Sequence, residues 1–263
     1  MAADTAWLLH AADALGRHAL VLYFMGLLLL PASAAVAARR LLRDGRSPGR
    51  NPGHPLGMPL RTVAVAIGIT TFATLTTLLL TGGALRAADQ AFADAVRASL
   101  PAVALPAFAT VTHLADTATL TGLCITMALL LAAARQPVLA MGWVLAVAGN
   151  GMLNRSLKAL IGRARPLDQV AAWAETGFSF PSGHSSGAVV ACGMLAFTAW
   201  RLLPARWRVA VLAVLAAAVA LTWSIGASRV FLGVHFASDV LAGFASGGLW
   251  LLLCIRLLAW RWR

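Results

Sequence analysis

PVLAMGWVLAVAGNGMLNRSLKALIGRARP (137–166) is an apolar stretch that runs straight into a cluster of cations. Its first eighteen residues carry no charge, which as helix is enough to cross ~30 Å of hydrocarbon. Similar stretches recur at about 19–38, 62–82, 117–134, 185–203, 209–226 and 236–258. With 137–157 they predict seven spans. Composition agrees, since 60% of residues are hydrophobic and only 11% charged, far from a soluble globular balance. The expected fold class is all-α, a polytopic membrane helix bundle.

The net charge of +12 would suggest nucleic acid in a soluble protein. Here the basic residues lie between apolar stretches, where the bias of cytoplasmic loops toward Lys and Arg explains them. No nucleic-acid partner is expected. Cys124, Cys192 and Cys254 fall inside apolar stretches without CxxC spacing, so they read as small buried hydrophobes.

The segment RRLLRDGRSPGRNPGHPLGMPLR (39–61) holds six arginines and one acid, Asp44, and reads as an irregular cytoplasmic loop. Alternating from there, the turn Arg135-Gln136-Pro137, the stretch Arg201–Arg208 and the terminal Trp260–Arg263 fall inside. Lys158, the segment before 185 and Ser228-Arg229 fall outside, as does the N-terminus. Residues 1–18 suggest a short interfacial helix. Residues 83–115, with Arg86, Asp89, Asp94 and Arg97, read as an amphipathic connection on the outer surface.

Three outer segments concentrate the polar chemistry: KALIGRARP (158–166), PSGH (181–184) and SRVFLGVHFASD (228–239). They supply Lys158, Arg165 and Arg229, two imidazoles, His184 and His235, and one carboxylate, Asp239. That inventory suits a phosphate group presented at a membrane surface. Lys158, the only lysine, offers a point charge, and the two arginines offer planar forks. Standing alone it would read as a snorkelling cation at a helix end. Ser182 is a reasonable N-cap, Gly183 permits close backbone approach, and the free N–H groups of a helix start favour an anion.

His235 and Asp239 stand at i and i+4, one helix face, so the carboxylate can fix the tautomer and leave the other nitrogen to attack. Asp239 is the only acid inside the last five spans and needs a partner. Asp4, Asp13, Asp44, Asp89, Asp94 and Asp116 are distant in sequence from these segments, so no carboxylate cluster for paired metal ions is evident. Neither a metal nor another cofactor is expected.

Together the segments resemble the type 2 phosphatidic-acid phosphatase superfamily of membrane lipid phosphatases. The family pattern is Lys, six residues, Arg-Pro; then Pro-Ser-Gly-His; then Ser-Arg, five residues, His, three residues, Asp. Lys158, Arg165-Pro166, Pro181–His184, Ser228-Arg229, His235 and Asp239 fill it without departure. The resemblance covers about 137–258 well. It implies a six-span phosphatase core, here 60–263, so residues 1–59 look like an added span with a basic cytoplasmic loop.

It also implies roles. His235 would attack phosphorus to give a phosphohistidine, oriented by Asp239. His184 would protonate the leaving alkoxide and then activate water. Lys158, Arg165, Arg229, Ser182 and the Gly183 amide would hold the phosphoryl oxygens. Arg163, outside the pattern, reads as an auxiliary cation whose loss matters far less than that of His235. Trp173 and Glu175, on the loop before PSGH, either face the substrate or are solvated loop residues, and the second reading is preferred.

The implied function is metal-independent hydrolysis of a lipid phosphate or pyrophosphate at the outer surface of a bacterial inner or plasma membrane. Undecaprenyl pyrophosphate, phosphatidylglycerol phosphate, phosphatidic acid and lipid A phosphate are the candidate substrates. One alternative is a phosphotransferase that passes the phosphoryl group to another lipid. Another is a non-enzymatic lipid-phosphate transporter, which polar residues clustered at one surface, not at the midplane, disfavour.

Overall fold

The computed structural model describes residues 2–44, 58–166 and 175–260. Among them the regular structure is helical, with no strand. The helices are α1 (Ala2–Arg17), α2 (Ala19–Asp44), α3 (Met58–Thr81), α4 (Gly83–Ser99), α5 (Leu105–Thr112), α6 (Thr117–Ala133), α7 (Pro137–Ile161), α8 (Gly183–Leu202), α9 (Arg208–Phe231) and α10 (Ala237–Trp260). In hydrocarbon every backbone N–H and C=O must be satisfied internally, and helix does this within one segment.

Six helices, α2, α3, α7, α8, α9 and α10, are long and apolar enough to cross a membrane. The expected third span is α6, which at 17 residues rises about 26 Å and is shorter than the rest. The basic segment 39–61 is not wholly irregular: α2 runs on through Asp44 and α3 begins at Met58. The sequence RRLLRD keeps good helix formers, so the chain continues past the apolar stretch. Residues 45–57 lie outside the described residues.

α8 is the central helix. Over half of its apolar window is buried (56%), against 11% for α2 and 6% for α3. Leu28, Leu29, Ile67 and Leu129 on the outer helices point outward, as a lipid-facing surface requires. The core joins α7, α8 and α10 through Trp143, Val190, Met194, Phe197, Cys254 and Leu258. The one polar atom of Trp143 is satisfied by donation to Thr198 Oγ1 at 3.0 Å.

α8 and α10 meet backbone to backbone. A Cβ at Gly243 would lie 2.6 Å from the Ser182 carbonyl oxygen, and one at Gly247 would lie 2.6 Å from that of Ser186. Two glycines four apart on α10 thus seat two serines four apart on α8, the small-residue packing common between membrane helices.

The segment 83–115 is not a simple surface connection. α4 and the stretch Ala102–Ala115 form a pair bent by 97°, and α4 carries a buried acid, Asp89, inward. α1 packs on α4 so closely that a Cβ at Gly16 would meet Ala95 Cβ at 2.6 Å. α2 packs on α9, with Trp223 Nε1 donating to the Tyr23 carbonyl at 3.0 Å. The first 44 residues therefore dock on the remainder and are not a detached unit.

Candidate active site

The three polar segments converge at one end of the bundle. α7 stops at Ile161 because Gly162 adopts a left-handed conformation, φ +65°, which favours glycine. Helix thus ends five residues before Pro166, and Lys158 and Arg165 do not share a helix face. The turn sends Arg163 and Arg165 back toward the starts of α8 and α10. The Ser182 N–H donates to the Asp239 carbonyl at 2.9 Å, tying those two helix starts together.

His235 is 1% exposed and precedes α10, so it is not on the expected helical face. It still meets Asp239, with Nδ1 3.4 Å from Oδ2. The reason is a cap: Asp239 Oδ2 accepts the Phe236 N–H at 2.9 Å, as an acid at the third helical position does. That contact folds the chain so that His235 lies over the carboxylate.

Ser179 bridges the pair, 3.2 Å from Nδ1, and donates to Asp239 Oδ2 at 2.5 Å. On the other side of the ring Arg165 Nη1 lies 3.1 Å from Nε2. A guanidinium only donates, so Nε2 is the acceptor and Nδ1 carries the proton. Burial first of all pushes the His235 pKa down to about 3, despite Asp239. The ring is neutral at physiological pH, and the Nε2 lone pair accepts from Arg165.

Asp239 also accepts from Arg163 Nη1 at 2.6 Å. Arg163 further donates to Asp89 Oδ2 at 2.7 Å and to Ser238 Oγ at 2.7 Å, and it lies over the Phe236 ring at 4.2 Å. Asp89 completes the network by accepting from the Ser238 N–H and hydroxyl. The reading of Arg163 as an auxiliary cation is therefore corrected. Both of its Nη groups hold buried carboxylates, one of them the partner of His235. Sequence separation hid Asp89, which stands 150 residues from Asp239.

Arg165 and Arg229 converge on Glu175. Arg165 Nη2 is 2.9 Å from Oε2, Arg229 Nη2 binds Oε1, and His184 Nδ1 stands 4.0 Å from Oε1. Glu175 is thus no solvated loop residue; burial opposes its ionisation, but Arg229 and then His184, His235 and Arg165 hold its pKa below the usual carboxylate range. Arg165 Nη1 is anchored on the Val234 carbonyl at 2.8 Å and Arg229 Nη1 on Thr112 Oγ1 at 2.5 Å. The Nε–H groups of both arginines are buried and without a partner among the described residues. Trp173 lies outside the described residues.

Lys158 Nζ donates to the carbonyls of Phe178 and Ser179, at 2.5 and 3.1 Å, and so steadies the segment that carries Ser179. A half-polar cavity of about 420 Å³ opens beside Arg165, between Leu79, Arg86, Gln90 and Phe236.

His184, in the first turn of α8, has its own carboxylate. Its Nε2 is 2.9 Å from Asp116 Oδ1, and Asp116 Oδ2 is 2.7 Å from Nδ1 of the exposed His113. Burial works to raise the Asp116 pKa, yet its bonds to His113 and His184 hold it lowered. Asp116 also escaped the sequence reading. The available signal was its place just before α6, next to the segment 83–115 whose polar residues were assigned to a surface connection.

Ser182 is the N-cap of α8. Its hydroxyl is engaged by the Ser185 N–H and hydroxyl, at 3.4 and 3.0 Å, so it faces the helix and not the arginines. Gly183 lies against α7, where a Cβ would sit 3.1 Å from Asn154 Oδ1.

Known proteins resemble this chain. Residues 138–263 match the model of the PAP2 superfamily. Phosphatidylglycerophosphatase B of Bacillus subtilis (strain 168) is 41% identical over 96 residues, 36% of this chain and 46% of that protein. Lipid A 1-phosphatase of Rhizobium etli is 40% identical over 115 residues, 40% of this chain and 44% of that protein. The chain thus spans slightly under half the length of these curated relatives. The crystal structure of the first transmembrane PAP2 type phosphatidylglycerolphosphate phosphatase from Bacillus subtilis is similar at a TM-score of 0.66 with 27% identity, covering 76% of this chain and 98% of that chain.

Proposed function

We propose that this integral membrane chain, which belongs to the PAP2 superfamily, is a lipid phosphatase that removes a terminal phosphate through a phosphohistidine. One observation carries the reading. Two histidine–carboxylate pairs, His235–Asp239 and His184–Asp116, flank two buried guanidinia that already hold an anion.

In the reaction, Arg165 turns from Nε2 of His235 to the phosphoryl oxygens, Nε2 attacks phosphorus and the P–O bond to the lipid breaks. His184 gives its proton to the leaving alkoxide while Asp116 orients the ring. His184 then takes a proton from water, the hydroxide attacks the phosphohistidine, and orthophosphate leaves with Nε2 restored. Arg165 and Arg229 stabilise the charge that develops on the phosphoryl oxygens, and their unpartnered Nε–H groups can serve a tetrahedral oxyanion with more acceptors than a carboxylate.

Lys158 holds the Ser179 backbone beside this centre, and the start of α8, with Ser182 as its cap and Gly183 next to it, turns N–H groups toward the anion. The cavity beside Arg165 takes the rest of the headgroup. The relatives named for phosphatidylglycerophosphate and lipid A 1-phosphate favour a terminal phosphate on a membrane lipid. The charge pattern favours the extracytoplasmic side, since Arg135 just after α6, Arg201 at the end of α8 and Arg256 on α10 lie toward the helix ends opposite the site.

The test is phosphate release by the purified, detergent-solubilised protein from phosphatidylglycerol phosphate, phosphatidic acid, lipid A and undecaprenyl pyrophosphate in excess EDTA. Release that survives EDTA and disappears in His235→Ala supports the mechanism. Release that needs added metal, or that persists in His235→Ala, overturns it.

A further inference from the structure

The carboxylate between Arg165 and Arg229 occupies the place where, on the reading above, a phosphoryl group binds. It is supplied by the chain itself. Around it, four cations (Lys158, Arg163, Arg165, Arg229) stand with four carboxylates (Asp89, Asp116, Glu175, Asp239). The cluster is therefore neutral before any substrate arrives, which removes the penalty of bringing unpaired cations out of water.

An incoming phosphate must exchange with Glu175, because two anions cannot share the same pair of forks. The exchange depends on charge. A terminal phosphate carries about −1.5 to −2 at pH 7 and three oxygens, so it can outcompete a single carboxylate. A phosphodiester carries one negative charge and offers two free oxygens, no more than the carboxylate it would replace. The membrane around the site is built largely of phosphodiester headgroups.

We infer that Glu175 is a specificity-determining residue, a built-in competitor for the two arginines that a terminal phosphate displaces and a phosphodiester headgroup does not. The inference rests on the phosphatase reading for its substrate and on the ion pairs for its geometry. Glu175 is reached from solvent, with its side chain 30% exposed, so the carboxylate has room to swing aside.

The experiment compares the full chain with Glu175→Gln and Glu175→Ala in mixed micelles. Three quantities are measured: the Ki of orthophosphate, inhibition by added phosphatidylglycerol (a phosphodiester), and KM and kcat for phosphatidylglycerol phosphate. If the carboxylate holds the forks about nine-tenths of the time, its removal tightens orthophosphate roughly tenfold. Both variants should show that gain, a lower KM without a higher kcat, and a new inhibition by phosphatidylglycerol that the parent resists.

Unchanged or weaker orthophosphate binding in both variants, with melting like that of the parent, overturns the inference. Calorimetric titration of orthophosphate separates the two readings. Tighter binding in the variants without turnover of any lipid phosphate by the parent sinks the phosphatase reading and keeps the competitor. Turnover by the parent with equal affinities does the reverse.

Discussion

Arg163→Ala should damage both stability and turnover. The guanidinium is 6% exposed and bridges Asp89 and Asp239, themselves 5% and 0% exposed. Removing one member of a buried ionic group leaves the others uncompensated, at about 3–5 kcal/mol. Here two carboxylates lose their shared cation, and one of them sets the tautomer of His235. A shift of ~1 Å at a reacting group can cost about 100-fold in rate, and Asp239 loses the bond that pins Oδ1. The expected result is a lowered melting temperature in detergent and a kcat reduced by roughly two orders of magnitude, with KM less affected. Arg163→Lys should recover part of the stability, because an ammonium restores the charge but cannot span three acceptors with a planar fork. Phosphate release and thermal unfolding on the same preparation measure both effects. An alanine variant within threefold of the parent in kcat, and equal to it in melting, would refute the reasoning and restore Arg163 as a dispensable cation.

Asp116→Asn should lower kcat on the order of 100-fold, the low end of a general acid–base contribution, since His184 loses the charge that orients it; an unchanged kcat and pH profile would remove Asp116 from the mechanism. Stability should also depend on pH through His235. Its folded pKa, about 3, lies below the unfolded value of ~6.5, so its contribution is complete above about 6.5 and is lost as pH falls toward 3. Melting of the parent between pH 7.5 and 4 should therefore fall more steeply than that of His235→Gln, and parallel curves would contradict the burial argument.

The spans were legible because hydrocarbon leaves the chain few choices: long uncharged windows became α2, α3 and α7–α10. The three motif segments were legible as well, and the structure brings them together. What the sequence concealed was the supporting layer. Asp89 and Asp116 looked remote because distance along the chain says nothing about which helix end folds back over a site. Arg163 looked auxiliary because its role is defined by Asp89 and Asp239. His235 and Asp239 meet as expected from their spacing, but through a helix cap and not along a helix face. The GFASG run (243–247) offered a packing signal that hydropathy alone passes over.

That run has a mechanical consequence. With Gly243 and Gly247 seated on the carbonyls of Ser182 and Ser186, no large side chain lies between α8 and α10 there to act as a bearing. The two helices carry His184 and Asp239 as one stiff plate, and the spacing of the two imidazoles is set by backbone contact. Movement that admits a lipid tail is left to the bent pair formed by α4 and Ala102–Ala115. The protein can thus change its doorway without retuning the distance between its two histidines.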